Sequence, residues 1–117
     1  MVIAAVDDLL FSSKIRTVAK QLGVDVVFAR SPDAVLREVR ERGPALLLVD
    51  LNGEKLAPLE TIRTITLDPE LAATRVVAFV SHVQTATIHA ARAAGAHEVM
   101  ARSAFAASLP EILAGTK

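Results

Sequence analysis

Three acids, one hydroxyl and one cation stand where hydrophobic runs of this sequence stop. Asp7 and Asp8 follow the first run, Asp50 ends the third, and Ser81 and Arg102 follow the fourth and fifth. The third run is the most hydrophobic of the chain. A buried carboxylate without a partner is costly. Asp50 is therefore expected to have either a partner or a chemical role.

These residue types suit metal-assisted chemistry on a phosphoryl group. Clustered carboxylates raise one another's pKa values unless a cation joins them. Mg²⁺ accepts such oxygen ligands together with a backbone carbonyl and water. With Asp8 and one oxygen of Asp50 on the metal, the other oxygen of Asp50 can act as a nucleophile toward phosphorus. Ser81 and Arg102 are placed to stabilise the charge that develops.

The elements that must position these residues are predicted as alternating strands and helices. Short, continuous apolar runs indicate strands covered on both faces, at Val2–Val6, Val24–Ala29, Ala45–Leu51, Arg75–Val80 and Glu98–Ala101. The segments between them have helical spacing. The order predicts an α/β fold of one domain over residues 1–117, a doubly wound (βα)5 arrangement with a parallel five-stranded sheet. Ligands of such a sheet gather beyond the carboxyl ends of its strands, where all five polar residues would meet.

Helix boundaries are predicted from capping residues. Ser31 followed by Pro32 marks the start of the second helix, and Gly23 stops the first. The last helix is predicted to start at Ser108, because Ser108 and Glu111 have the spacing of a capping box.

Composition excludes several classes of function. Thirteen basic and thirteen acidic residues cancel, so nothing directs the chain toward nucleic acid or an anionic membrane. The absence of cysteine removes disulfides, thiolate metal sites and a cysteine nucleophile. No apolar run approaches the length of about 18 residues that a membrane-spanning helix needs. We expect a cytoplasmic protein with no membrane contact and no direct contact to nucleic acid.

Four stretches, in order and at matching spacing, resemble a known family. They are VDDLLFSSKIRTVAKQLG, LLLVDLNG, RVVAFVS and ARAAGAHEVMARSAF. Together they resemble the response-regulator receiver domain of two-component signalling, which is the CheY-like member of the flavodoxin-like folds. The resemblance spans nearly the whole chain.

The resemblance implies a role for each site residue. Asp50 would be the phosphoacceptor, and Mg²⁺ would be held by Asp8 and Asp50, by Asp7 through water and by the backbone carbonyl of Asn52. Ser81 and Arg102 would bind the phosphoryl group. The implied partners are a sensor histidine kinase or phosphotransfer protein as donor and a downstream protein as receiver of the signal.

Four positions depart from the family pattern. The basic residue is Arg102 where the family almost always has lysine, and Ser103 follows it where proline in a cis bond is usual. The switch position is Val99 where an aromatic is usual, and His82 follows Ser81 where a small residue is usual. Arginine keeps the charge but differs from lysine in bulk and planarity. These departures leave open a pseudo-receiver, which has the same fold but serves as a phosphorylation-independent docking module.

A flavodoxin-like binder or enzyme of another class is a third alternative. The glycine-rich phosphate loop that it would need after the first strand is missing from the sequence.

The candidate docking face for a protein partner is the exposed side of the fourth helix, near Thr85, Ile88 and Arg92.

Overall fold

A parallel five-stranded sheet carries the site. The computed structural model describes residues 1–81 and 84–116, and the strand order is β2-β1-β3-β4-β5. The strands are β1 (Val2–Ala5), β2 (Val26–Ala29), β3 (Leu46–Asp50), β4 (Arg75–Val80) and β5 (Glu98–Ala101). The predicted doubly wound α/β fold is therefore confirmed, and two of the five strands have the predicted bounds.

Five helices connect and cover the strands. They are α1 (Leu9–Leu22), α2 (Pro32–Arg42), α3 (Pro58–Leu67), α4 (Thr85–Ala94) and α5 (Arg102–Ala114), with a short 3-10 turn at Glu54–Leu56. None of the helices in the described part of the chain is long and apolar enough to cross a membrane.

The sheet separates two apolar layers, because successive strand residues point to opposite faces. Ile3 and Leu47 face the layer that contains residues of α2, α3 and α4. Val2 and Leu48 face the layer that contains residues of α1 and α5. The central strands β1 and β3 are buried along their whole length. Burial on both faces explains why these strands read as continuous hydrophobic runs.

Helix caps follow the sequence at two of the three predicted boundaries. The Ser31 side chain accepts a hydrogen bond from the Ala34 amide at 3.1 Å, as an N-cap should. Gly23 ends α1 in the left-handed conformation with φ of 71°.

The predicted start of the last helix at Ser108 is wrong, because α5 begins at Arg102. Phe105, Leu109 and Leu113 recur at helical spacing and are fully buried. This apolar stripe continues the helix through Pro110, which lies on the exposed side of α5. Burial of the stripe outweighs the hydrogen bond that proline cannot donate.

Candidate functional site

The carboxyl edge of the sheet brings the predicted residues together. Strand β3 lies between β1 and β4, so Asp50 at its end has Asp7 and Asp8 on one side and Ser81 on the other. Arg102 follows β5, at the far side of β4, and its guanidinium reaches Asp8, which precedes it by 94 residues. Five residues from four separate parts of the sequence thus gather at one edge.

Asp50 is the buried acid of the site, with 5% of its surface exposed. Its Oδ1 accepts a hydrogen bond from the Asn52 amide at 2.9 Å. Burial raises the pKa of Asp50, and the charges of Asp8 and Asp7 raise it further, while the Asn52 amide and Arg102 act in the opposite direction. Burial is therefore the main reason why the pKa of Asp50 is raised, and the neighbouring acids add to it while Arg102 opposes them.

The Asn52–Gly53 turn joins the ends of β3 and β4. The Asn52 side-chain oxygen accepts a hydrogen bond from the Ser81 amide at 2.7 Å. The Asn52 carbonyl, which the resemblance makes a metal ligand, accepts a hydrogen bond from the Glu54 amide at 3.1 Å. Sequence reasoning assigned a role to the carbonyl and missed the side chain, whose partner lies 29 residues away.

Asp8 has a protein partner for each of its carboxylate oxygens. Oδ1 accepts a hydrogen bond from the Phe11 amide at 3.0 Å and so caps the start of α1. Oδ2 accepts a hydrogen bond from Arg102 at 2.6 Å. The hydrogen bond from Arg102 lowers the pKa of Asp8 most, followed by that from Phe11. Asp8 is thus fixed in its ionised form by two donors.

Arg102 rests on an aromatic cluster that sequence reasoning missed. Its guanidinium carbon lies 4.3 Å from the centre of the Phe11 ring, a cation–π contact. The Phe11 ring lies 5.0 Å from that of Phe79, which stacks on Phe105 at 4.4 Å. The three rings come from α1, β4 and α5; Phe11 lies under Arg102, and Phe79 and Phe105 pack against Phe11.

The site has the donors that Mg²⁺ prefers, although Asp8 is engaged elsewhere. Asp7, Asp8, Asp50 and the Asn52 carbonyl supply oxygen ligands, and a cation would relieve the charge around Asp50. Within residues 1–81 and 84–116, however, no three acidic, histidine or cysteine side chains are grouped as they would be around an ion. The donor chemistry fits the metal, but Oδ2 of Asp8 is held by Arg102.

Two of the positions that depart from the family pattern, His82 and Val99, differ in what the structure describes of them. His82 lies outside the described residues. Val99 is half-buried and packs against the layer that contains α2, α3 and α4. On the candidate docking face, Thr85 and Arg92 are exposed, whereas Ile88 is partly buried against the same layer.

Comparison of the structure with solved structures identifies the class of fold. The chemotaxis response regulator CheY4 of Vibrio cholerae matches with a TM-score of 0.84 at 14% identity, over 99% of this chain and 97% of that one. The phosphorylated cyanobacterial phytochrome response regulator RcpA matches with a TM-score of 0.80 at 22% identity, over 97% and 88% of the two chains. The Mn²⁺-bound response regulator Rcp1 matches with a TM-score of 0.78 at 20% identity, over the same shares.

The chain has the fold of response-regulator receiver domains, as the sequence predicted. Comparison by sequence finds no matching protein-family model and no matching curated protein. At these identities the likeness establishes the fold, and the site residues have to carry any statement about activity.

Proposed function

We propose that this chain is a cytoplasmic signalling receiver that accepts a phosphoryl group on Asp50. The observation that carries the proposal is Asp50 itself, a carboxylate buried at the end of the central strand with one oxygen fixed by the Asn52 amide. Without a chemical role, an acid in this place would only destabilise the fold. The described part of the chain shows no hydrogen bond to its other oxygen, Oδ2, which is the proposed nucleophile.

The phosphoryl donor is a phosphohistidine on a sensor kinase or phosphotransfer protein. An oxygen of ionised Asp50 forms the new bond to phosphorus while the phosphorus–nitrogen bond of the donor breaks. The bonding electrons stay on the imidazole nitrogen, which takes a proton from solvent. Ser81, beside Asp50 at the end of β4, and Arg102 supply hydrogen-bond donors to the phosphoryl oxygens.

Mg²⁺ is the proposed cofactor, held by Asp8 and Asp50, by Asp7 through water and by the Asn52 carbonyl. When bound it neutralises charge on the phosphoryl group and around Asp50. A response regulator of the same fold has been solved in a Mn²⁺-bound form, which supports the proposal that this chain binds a divalent cation. Phosphorylation would then alter the affinity for a downstream protein, with the exposed side of α4 as the candidate docking face.

The decisive experiment is phosphorylation with a small-molecule donor. The protein is incubated with Mg²⁺ and acetyl phosphate, or with beryllofluoride, and followed by intact mass and by NMR. One phosphoryl group is expected on the wild type and none on Asp50→Asn. Asp33→Asn removes an exposed acid from α2 and should leave the modification unchanged. A wild-type protein that stays unmodified where an ordinary receiver reacts would contradict the proposal.

A pseudo-receiver is the second candidate, and the pairing of Asp8 with Arg102 favours it. An acid whose two oxygens are engaged contributes nothing to a metal site while the pair persists. A pseudo-receiver would bind its protein partner with an affinity that does not depend on Asp50 or on a bound cation. The affinity for a protein partner would be the same for wild type and Asp50→Ala, and the same with and without a chelator.

A further inference from the structure

We propose that Arg102 is an intramolecular competitor of the divalent cation, and that its ion pair with Asp8 sets a low cation affinity. The inference rests on the proposed function, since it concerns the cation of the same site. It adds to that function a regulatory role for one side chain, which is to occupy the acidic pocket until a cation displaces it.

The geometry makes the two occupants exclusive. Oδ2 of Asp8 lies 2.6 Å from the guanidinium of Arg102, and Oδ1 accepts the Phe11 amide at 3.0 Å. A cation on Oδ2 must take the place of the guanidinium, because two positive groups at one oxygen repel each other. A cation on Oδ1 would instead uncap α1. Displacement of Arg102 is the less costly route, since α1 then keeps its cap.

Arg102 is held in the competing position by an aromatic ring as well as by Asp8. The Phe11 ring lies under the guanidinium at 4.3 Å, and Phe79 and Phe105 fix the Phe11 ring. The guanidinium therefore has less conformational freedom to lose in the pair than a lysine ammonium has. Both partners are only partly exposed, at 29% for the Arg102 side chain and 38% for that of Asp8, so solvent weakens their attraction less than at an open surface.

The expected effect follows from population arithmetic. The apparent cation affinity is the intrinsic affinity multiplied by the fraction of molecules in which Asp8 is free. If the ion pair is closed in about nine molecules of ten, removal of Arg102 raises the affinity on the order of tenfold. Arg102 is a positioning residue in this role, because it acts through Asp8.

The test measures cation binding directly, without a phosphoryl donor. Mn²⁺ is titrated into the whole chain and followed by calorimetry and by water proton relaxation, and Mg²⁺ is followed by the NMR shift of the Phe11 amide. Arg102→Met keeps an apolar stem on Phe11 and removes the charge, and is expected to bind Mn²⁺ about tenfold more tightly. Arg102→Lys should fall between wild type and Arg102→Met, because it keeps the charge without the planar stacking.

Arg16→Met is the matched control. Arg16 also lies over an aromatic ring, at 4.7 Å from the centre of Phe28, but that contact is on the α1–β2 side of the sheet. The substitution removes the same charge and a similar cation–π contact, so its Mn²⁺ affinity should stay within about twofold of wild type. The gain of Arg102→Met should disappear when Asp8→Asn is added.

The outcomes separate the two proposals. Equal or weaker Mn²⁺ binding by Arg102→Met, with measurable binding by wild type, overturns the competition and leaves the receiver proposal intact. An equal gain in Arg16→Met also overturns it, because the effect would then be one of net charge. Failure of every variant to bind either cation overturns both proposals.

Discussion

Asp8 both caps helix α1 and forms an ion pair with Arg102, and substitutions can separate these two roles. Asp8→Ala removes both the cap of α1 and the ion pair with Arg102, whereas Asp8→Asn keeps an oxygen that can accept from the Phe11 amide. Loss of an N-cap costs about 1 kcal/mol. A partly exposed ion pair contributes less than about 1 kcal/mol.

We therefore expect Asp8→Ala to lower the free energy of unfolding by about 1–2 kcal/mol and Asp8→Asn to lower it by less than about 1 kcal/mol. Relief of the repulsion between Asp8 and Asp50 reduces both losses. Urea unfolding at neutral pH, followed by far-ultraviolet circular dichroism, measures the difference. Ser31→Ala is the control for a cap alone, since Ser31 caps α2 and has no ion pair to lose, and should cost about 1 kcal/mol.

The pH dependence gives an independent check. The pKa of Asp8 is lowered in the folded protein, so the unfolded chain takes up this proton first as the solution is acidified. The stabilisation is complete above the ordinary pKa of 3.8 and is lost as pH falls through the lower, folded value. The stability difference between wild type and Asp8→Asn should shrink in the same acid range. An Asp8→Asn variant as unstable as Asp8→Ala would refute the division of roles.

Two further predictions concern the end of α4 and the buried acid Asp50. Gly95→Ala should destabilise the protein by roughly 2–4 kcal/mol in urea unfolding, because φ is 114° and the new Cβ would lie 2.3 Å from Oγ1 of Thr66. Gly115→Ala, whose Cβ would meet no atom closer than 3.5 Å, should change stability by less than about 0.5 kcal/mol. Asp50→Asn should stabilise the protein at neutral pH by on the order of 1 kcal/mol, because burial disfavours the charge. Since the folded pKa of Asp50 is raised, that gain should vanish below the ordinary value of 3.8, and a gain that persists in thermal unfolding there would contradict this explanation.

The fold was predictable from the sequence because burial on both faces leaves a strong local pattern. The runs at β4 and β5 give the strand bounds directly, since each begins at a charged residue and ends at the polar residues of the site. The start of α5 was not predictable from caps, because the capping-box spacing at Ser108 competes with a buried stripe that only the tertiary structure shows.

The sequence predicts which residues gather at the candidate site, but not which of the acids forms an ion pair with Arg102. Parallel strands put their carboxyl ends on one edge, so Asp8, Asp50, Ser81 and Arg102 had to be neighbours. Which acid Arg102 contacts depends on the ring of Phe11 beneath it, and that ring is placed by the packing of α1 against α5. Neither residue spacing nor charge carries that information.

The aromatic cluster makes the NMR spectrum of this protein sensitive to the position of Arg102. The chain has four phenylalanines and neither tyrosine nor tryptophan, and three of those four rings form the cluster whose Phe11 ring lies under Arg102. Ring currents from Phe11, Phe79 and Phe105 act on one another's protons, and that of Phe11 acts on the protons of Arg102. A one-dimensional proton spectrum of the unlabelled protein would therefore register movement of Arg102 directly. The same composition leaves absorbance at the usual tyrosine and tryptophan wavelengths useless for measuring its concentration.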